Sequence, residues 1–313
     1  MSGTSGEAGS QTAEVKAPAK VKPRRSATQA AVTWRRFRRN KSALIGLTIV
    51  SAFLLLGVFG PFFAAYPPRS TASLFLGQAH EPPSWAHPFG TEPTGVDVFS
   101  DSIWATRNDL YVGIVATLIA TALGVAIGAV AGYARPSIST AVLGVIQVFF
   151  VIPVLLLILL FARLFLLEVV AGWGLTLIVL ILGLFGWSGI AFVVRGEIFR
   201  VKELEFVQAE KALGASNFRI LFRHIVPNIL TPIIVLATLG VAGNIITEVV
   251  ISFLGFGDPN TATWGLLIDD GFRYVNTYWW VSFFPGLMCV ILVLGFNLLG
   301  DGLSDALNPR LRE

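Results

Sequence analysis

The chain has 313 residues, of which 54% are hydrophobic and only 13% charged, with a mean hydropathy of +0.72. A water-soluble domain carries about 25% charged residues, so this composition excludes an ordinary soluble globule and points to lipid as the solvent. The net charge of +4 and pI near 9.4 would suit nucleic acid, but the Lys and Arg residues flank apolar runs, so no nucleic-acid partner is expected.

Residues 1–33 are rich in Ser, Ala, Gly, Lys and Thr. They hold too little apolar surface to offset their ordering entropy, and a disordered leader is expected. Trp34-Arg35-Arg36-Phe37-Arg38-Arg39-Asn40-Lys41 follows, a basic and aromatic block suited to an anionic lipid surface. The first apolar run, 42–66, is longer than a signal-peptide core of about 7–15 residues. No A-x-A-like site closes it, so it reads as a retained anchor, and 34–66 forms one unit.

A membrane-crossing helix needs about 20 apolar residues. Six segments qualify: 42–66, 111–134, 138–162, 171–194, 225–254 and 279–300. The fold class is therefore an all-α, multi-pass membrane protein, with a core domain over 111–303 and a short tail at 304–313. Of the 23 Lys and Arg residues, 19 fall on one side of this topology, which places both termini in the cytoplasm by the positive-inside rule. The loops 67–110 and 255–278 are then exported. The first carries Pro67-Pro68, Pro82-Pro83, Glu81, Glu92, Asp97, Asp101 and Asp109; the second carries Asp258, Asp269 and Asp270.

Ala116, Ala120, Gly124, Gly128 and Gly132 recur every four residues along the second span, a stripe that lets helix backbones approach closely. Pro153, Pro232 and Pro285 interrupt other spans and predict bends. The single cysteine, Cys289, lies within an apolar run and reads as a packed hydrophobe.

Between the fourth and fifth spans, 205–214 reads as a short helix ended by Gly214, at a place where a left-handed cap favours glycine. Ser216 is a suitable N-cap for a second helix, in which Phe218, Leu221, Phe222 and Ile225 share one face. Arg219 and Arg223 point away from that face, and Pro227 enters the fifth span near its first turn. Two readings fit this pattern equally: a rigid helix–turn–helix that passes on a partner's movement, or an amphipathic helix resting on lipid.

At this segment the sequence resembles the bacterial ABC importer permeases, which carry E-A-A, three residues, G, nine residues, then I-x-L-P. Gly214 matches the glycine, Gln208-Ala209-Glu210 stands at E-A-A, and His224-Ile225-Val226-Pro227 at I-x-L-P. The departures are Gln208, Glu210 and His224. The rest of the chain resembles the dipeptide/oligopeptide/nickel branch, dipeptide permease C type. The matching residues are His87-Pro88-Phe89-Gly90-Thr91 with Gly95, Asp97, Val98, Phe99 and Ser100; Ser252 through Gly257 with Trp264-Gly265; and Asn297 through Leu303 with Pro309-Arg310. Val96 departs from an arginine usual in that branch.

The resemblance implies a type I ABC-importer fold of six spans in a bacterial plasma membrane, with import of di- or oligopeptides as the activity. Nickel or another small solute carried by the same mechanism is the alternative. It implies a second homologous permease, ATPase subunits and an extracytoplasmic substrate-binding protein as partners, besides peptide and membrane lipid. Glu205, Gln208, Ala209, Glu210, Gly214, Ala215 and Pro227 would form the contact with the ATPase.

No G-x-x-x-x-G-K-[ST] occurs, so this chain is expected to bind no cofactor and perform no hydrolysis, ATP and Mg²⁺ belonging to the partner ATPase. His80, Glu81 and His87 lack a scaffold for metal ligation, and no metal site is expected. Asn244 and Glu248, late in the fifth span, are candidates for the pathway; Glu168 lies between the third and fourth spans. Asp301 and Asp305 near Arg310 suggest a structural ion pair. An ion-driven carrier working alone would show inverted repeats and mid-span charges; there is no obvious repeat and hardly any mid-span charge.

Overall fold

The computed structural model describes residues 29–66, 79–165 and 172–307. Most of the leader, Pro67-Pro68, Arg69, Glu168 and Pro309-Arg310 lie outside these residues. The described chain is helical: α1 (Gln29–Phe37), α2 (Lys41–Phe59), α3 (Val98–Tyr133), α4 (Pro136–Val151), α5 (Val154–Leu164), α6 (Gly174–Phe185), α7 (Ser188–Lys202), α8 (Glu205–Ala212), α9 (Asn217–Arg219), α10 (Val226–Phe253), α11 (Trp264–Phe272) and α12 (Trp280–Leu307).

Five helical stretches are long and apolar enough to cross a membrane: Lys41–Phe62, Val98–Tyr133, Gly174–Lys202, Asn217–Phe253 and Trp280–Leu307. The pair α4–α5, bent by 70° at Ile152-Pro153, makes a sixth if counted as one span. Proline explains the break, since it removes a backbone donor and disfavours the helical conformation of the residue before it. Helices α10 and α12 instead run on through Pro232 and Pro285.

Two regions expected as loops contain helix. Helix α3 begins at Val98, well before the apolar segment, because the Asp97 carboxylate caps it by accepting the Ser100 N–H at 2.8 Å. Its first turns are polar in sequence, yet Asp101, Ser102, Thr106 and Asp109 are all buried. Hydropathy does not detect a helix whose polar groups find partners inside the protein. The second region, 255–278, holds α11, capped by Thr263, whose hydroxyl accepts the Leu266 N–H.

Helix α3 is the axis of the molecule, with α7, α6 and α10 packed along it. Ala116, Ala120, Gly124, Gly128 and Gly132 are all buried on it. A Cβ at Gly124, Gly128 or Gly132 would meet Ile190, the Ala191 carbonyl or Ile198 at 2.6–2.8 Å, so the stripe lets the branched side chains and backbone of α7 lie directly on the backbone of α3. Helix α2 lies against α12, where Ala43 is fully buried beside Gly302. Asn40 joins the two at one end: its Oδ1 caps α2, and its Nδ2 donates to Asp305 Oδ2 at 3.1 Å.

Candidate functional site

The elbow between α7 and α10 is built from three successive stops. Helix α8 ends in a Schellman arrangement in which the Ala215 N–H reaches the Glu210 carbonyl and the Gly214 N–H that of Lys211. Gly214 has φ of 81°. Nothing lies within 4 Å of where its Cβ would stand, so glycine is needed here for backbone conformation and not for space. Ser216 then caps α9 by accepting the Arg219 N–H. From Ile220 to Ile225 the chain forms a π-helical turn, in which the Val226 N–H bonds the Leu221 carbonyl, five residues back.

That turn changes which side chains face inward. Phe218, Leu221, Phe222 and Ile225 do not form one buried stripe. Ile220, Ile225 and Ile229 are buried instead, five and four residues apart, with Leu221 only partly covered. Phe218 and Phe222 are exposed and pack on each other at 4.4 Å. Periodicity alone misassigned this face, because a π turn adds a residue that no 3.6-residue count contains.

The inward residues anchor the elbow. Val207, Ile220, Ile225 and Ile229 share a cluster with Ala129 of α3 and Val194, Ile198 and Val201 of α7. Polar ties add to it: Gln208 Nε2 donates to the Lys202 carbonyl at 3.0 Å, and the Tyr133 hydroxyl to Asn217 Oδ1 at 3.1 Å. His224 Nε2 stands 3.8 Å from Glu210 Oε1. The outer surface is apolar for so polar a segment, with Leu213 84% and Phe218 72% exposed. Glu205, Gln208, Ala209, Gly214 and Pro227 are exposed; Glu210 and Ala215 are half-buried.

At the far end of the bundle, two separated motifs fold against α3. Gly90, with φ of 74°, lies under the Trp280 ring, whose Nε1 donates to the Thr91 carbonyl at 3.3 Å. His87 Nδ1 is 2.8 Å from Asp97 Oδ1, and its Nε2 is 3.7 Å from Glu81. Trp264, fully buried, donates its indole N–H to the Ser102 carbonyl and its backbone N–H to Asp109 Oδ2. A Cβ at Gly265 would collide with the backbone of α10 at Val249, so α11 lies directly on α10. Among the described residues, no group of three or more His, Cys, Asp or Glu is placed to hold a metal.

Asn244 and Glu248 lie on α10 facing α3. Asn244 Nδ2 donates to Thr117 Oγ1 at 2.9 Å. Glu248 is fully buried, with the Ser252 hydroxyl on its Oε1 at 2.6 Å. Sequence reasoning did not single out Asp109, the acid that Glu248 faces.

The chain matches known families and proteins over most of its length. A family model described as binding-protein-dependent transport system inner membrane component matches residues 124–313, and the N-terminal TM domain of oligopeptide transport permease C matches 28–83. The chain belongs to the family of binding-protein-dependent transport system inner membrane components.

Its relatives include the dipeptide transport system permease protein DppC of Bacillus subtilis (strain 168), 39% identical over 294 residues, 93% of this chain and 88% of that protein. The oligopeptide transport system permease protein OppC of the same organism is 37% identical over 279 residues, 89% of this chain and 88% of that protein. Among solved structures, an inward-facing MetNI methionine ABC transporter chain matches 65% of this chain and 94% of its own length, at a TM-score of 0.53 and 18% identity. At that identity the likeness concerns the fold alone.

Proposed function

We propose that the chain forms half of the translocation pathway of an importer for di- or oligopeptides, and that the elbow at 205–228 receives the movement of an ATPase subunit. The observation that carries this reading is the combination at the elbow. Its inner face is fastened to α3, α7 and α10 by buried isoleucines and valines, while Leu213 and Phe218 stand out at its tip. A helix resting on lipid would turn its apolar stripe to one plane. A fastened knob with apolar residues at the turn suits a groove on a protein, and force applied to it reaches three helices at once.

On this reading the elbow and both termini are cytoplasmic, in a bacterial plasma membrane, and the far end with His87 and Trp280 is extracytoplasmic. The peptide cargo follows from the names of the relatives. A second permease completes the pathway, a binding protein delivers the peptide, and ATP with Mg²⁺ is held by the ATPase. Glu205, Gln208, Ala209, Glu210, Gly214, Ala215 and Pro227 form or shape the docking surface. Asn244, half-buried between α3 and α10, is the pathway candidate, whereas Glu248 acts inside the chain.

The test is substitution of both knob residues, Leu213→Asp with Phe218→Asp, in the assembled transporter. Both side chains are exposed, so the permease should still fold and insert. Loss of ATPase co-purification and of peptide uptake is expected; retention of both would refute the docking assignment.

A further inference from the structure

Two carboxyl groups meet inside the bundle at the end away from the elbow. Asp109 of α3 and Glu248 of α10 are each 0% exposed, and their side chains lie within hydrogen-bonding reach of one another. Three of the surrounding donors are accounted for. The Ser252 hydroxyl donates to Glu248 Oε1 at 2.6 Å, and the Thr263 hydroxyl bonds the same carboxylate. The Trp264 backbone N–H donates to Asp109 Oδ2 at 3.1 Å. One oxygen of each acid is left over: Asp109 Oδ1 and Glu248 Oε2 are buried and have no donor.

Among the described residues, no Lys, Arg or His forms an ion pair with either acid. Helices α10 and α12 carry no Lys or Arg at all, and Arg107 on α3 is exposed. On α11, Asp269 is paired with the exposed Arg273 at 3.7 Å, and Asp270 is half-buried. Cys289 of α12 lies beside the two acids, and the remaining buried titratable groups on these elements bring no cation: Asp101 lies on α3, and Asp258 precedes α11, its Oδ1 accepting the Asn260 N–H. Two ionised carboxylates side by side in such surroundings would repel each other without solvent to screen them.

We propose that Asp109 and Glu248 form a binding site for one proton, carried on Asp109 Oδ1 and donated to Glu248 Oε2. A single proton satisfies both leftover oxygens. Glu248 is the acid that stays ionised, because it already accepts two hydroxyl donors. Its charge lies beside the Thr263 cap at the start of α11, where the helix dipole favours an anion. The bond joins three elements, α3, α10 and the start of α11, which meet here through Asp109, Glu248, Thr263 and the Trp264 N–H. Loss of the proton would set two negative charges against each other and part α3 from the α10–α11 corner. The site lies wholly within this chain and does not depend on the coupling reading.

Infrared difference spectroscopy of the purified complex in lipid nanodiscs at neutral pH tests this. Wild type minus Asp109→Asn should contain a protonated-carboxyl C=O band, shifted in heavy water. Wild type minus Glu248→Gln should contain carboxylate bands. Carboxylate bands in the Asp109 difference would overturn the proposal, whether the pair is then bare or holds a cation. Should the Asn variant fail to accumulate, ¹³C-carboxyl aspartate in the wild type keeps the question decidable. The protonated band must move with that label, and a band that does not move refutes the site. Conservative rescue is the second readout. Asp109→Asn, whose amide donates in the proton's place, should retain the wild-type melting temperature, and Asp109→Ala should lower it. Equal losses would leave no role for a donor at that position.

Discussion

Gly128 stands where α3 and α7 touch, and a methyl group there would come 2.6 Å from the Ala191 carbonyl oxygen. Because that neighbour is backbone, it cannot rotate away. Gly128→Leu should therefore destabilise the bundle by at least the ~1–3 kcal/mol typical of overpacking, read as a lower melting temperature of the purified protein. Gly144→Ala on α4, with nothing within 4 Å, is the matched control and should be neutral or mildly stabilising. Gly214→Ala differs again, since no atom is in the way and only the left-handed backbone resists, at a cost of about 1–2 kcal/mol. Uptake should fall by more than the modest loss of melting temperature accounts for; an unaltered rate of uptake would show that the turn's conformation is not needed. Gly214 was legible because a helix stop is a local rule. The partnership of Asp109 with Glu248 was not, because only the packing of α10 against α3 brings such distant positions together.

Helices differ in how plainly hydropathy marks them. The spans α2, α10 and α12 stood out as long apolar runs. The first turns of α3 did not, since their acids and hydroxyls are buried with partners where a water-facing loop would have exposed them. Helix α11 was missed for a similar reason: it is nine residues long and gains its stability from packing on α10 and α12. Trp264 is the residue that fixes α11 to α3. Trp264→Phe retains most of the apolar ring and loses the N–H to the Ser102 carbonyl, which should cost about 1 kcal/mol. Trp264→Ala also leaves a cavity and should cost about 3–5 kcal/mol. Thermal unfolding of the two variants separates the hydrogen bond from the packing; equal losses would mean that the ring contributes little.

For the molecule as a whole, sidedness can be probed with one reagent, because the single cysteine, Cys289, is buried. Trp85, fully exposed at the far end, and Leu213 at the elbow are suitable positions for a new thiol. Trp85→Cys should react with a membrane-impermeant maleimide added to intact cells, and Leu213→Cys only in inverted vesicles. The opposite pattern would invert the proposed orientation. The turn at Ile220–Ile225 has a consequence on the same scale. Each residue of an α-helix advances the chain by about 100° around the axis, and the π turn holds one residue more than that repeat requires. Deleting Leu221 would restore the common spacing and swing the knob a quarter-turn or so about α10, carrying Leu213 and Phe218 to a different compass bearing. The heading at which this bundle meets its partner is thus governed by chain length at one turn, and it is open to change by a gain or loss of a single codon as well as by substitution.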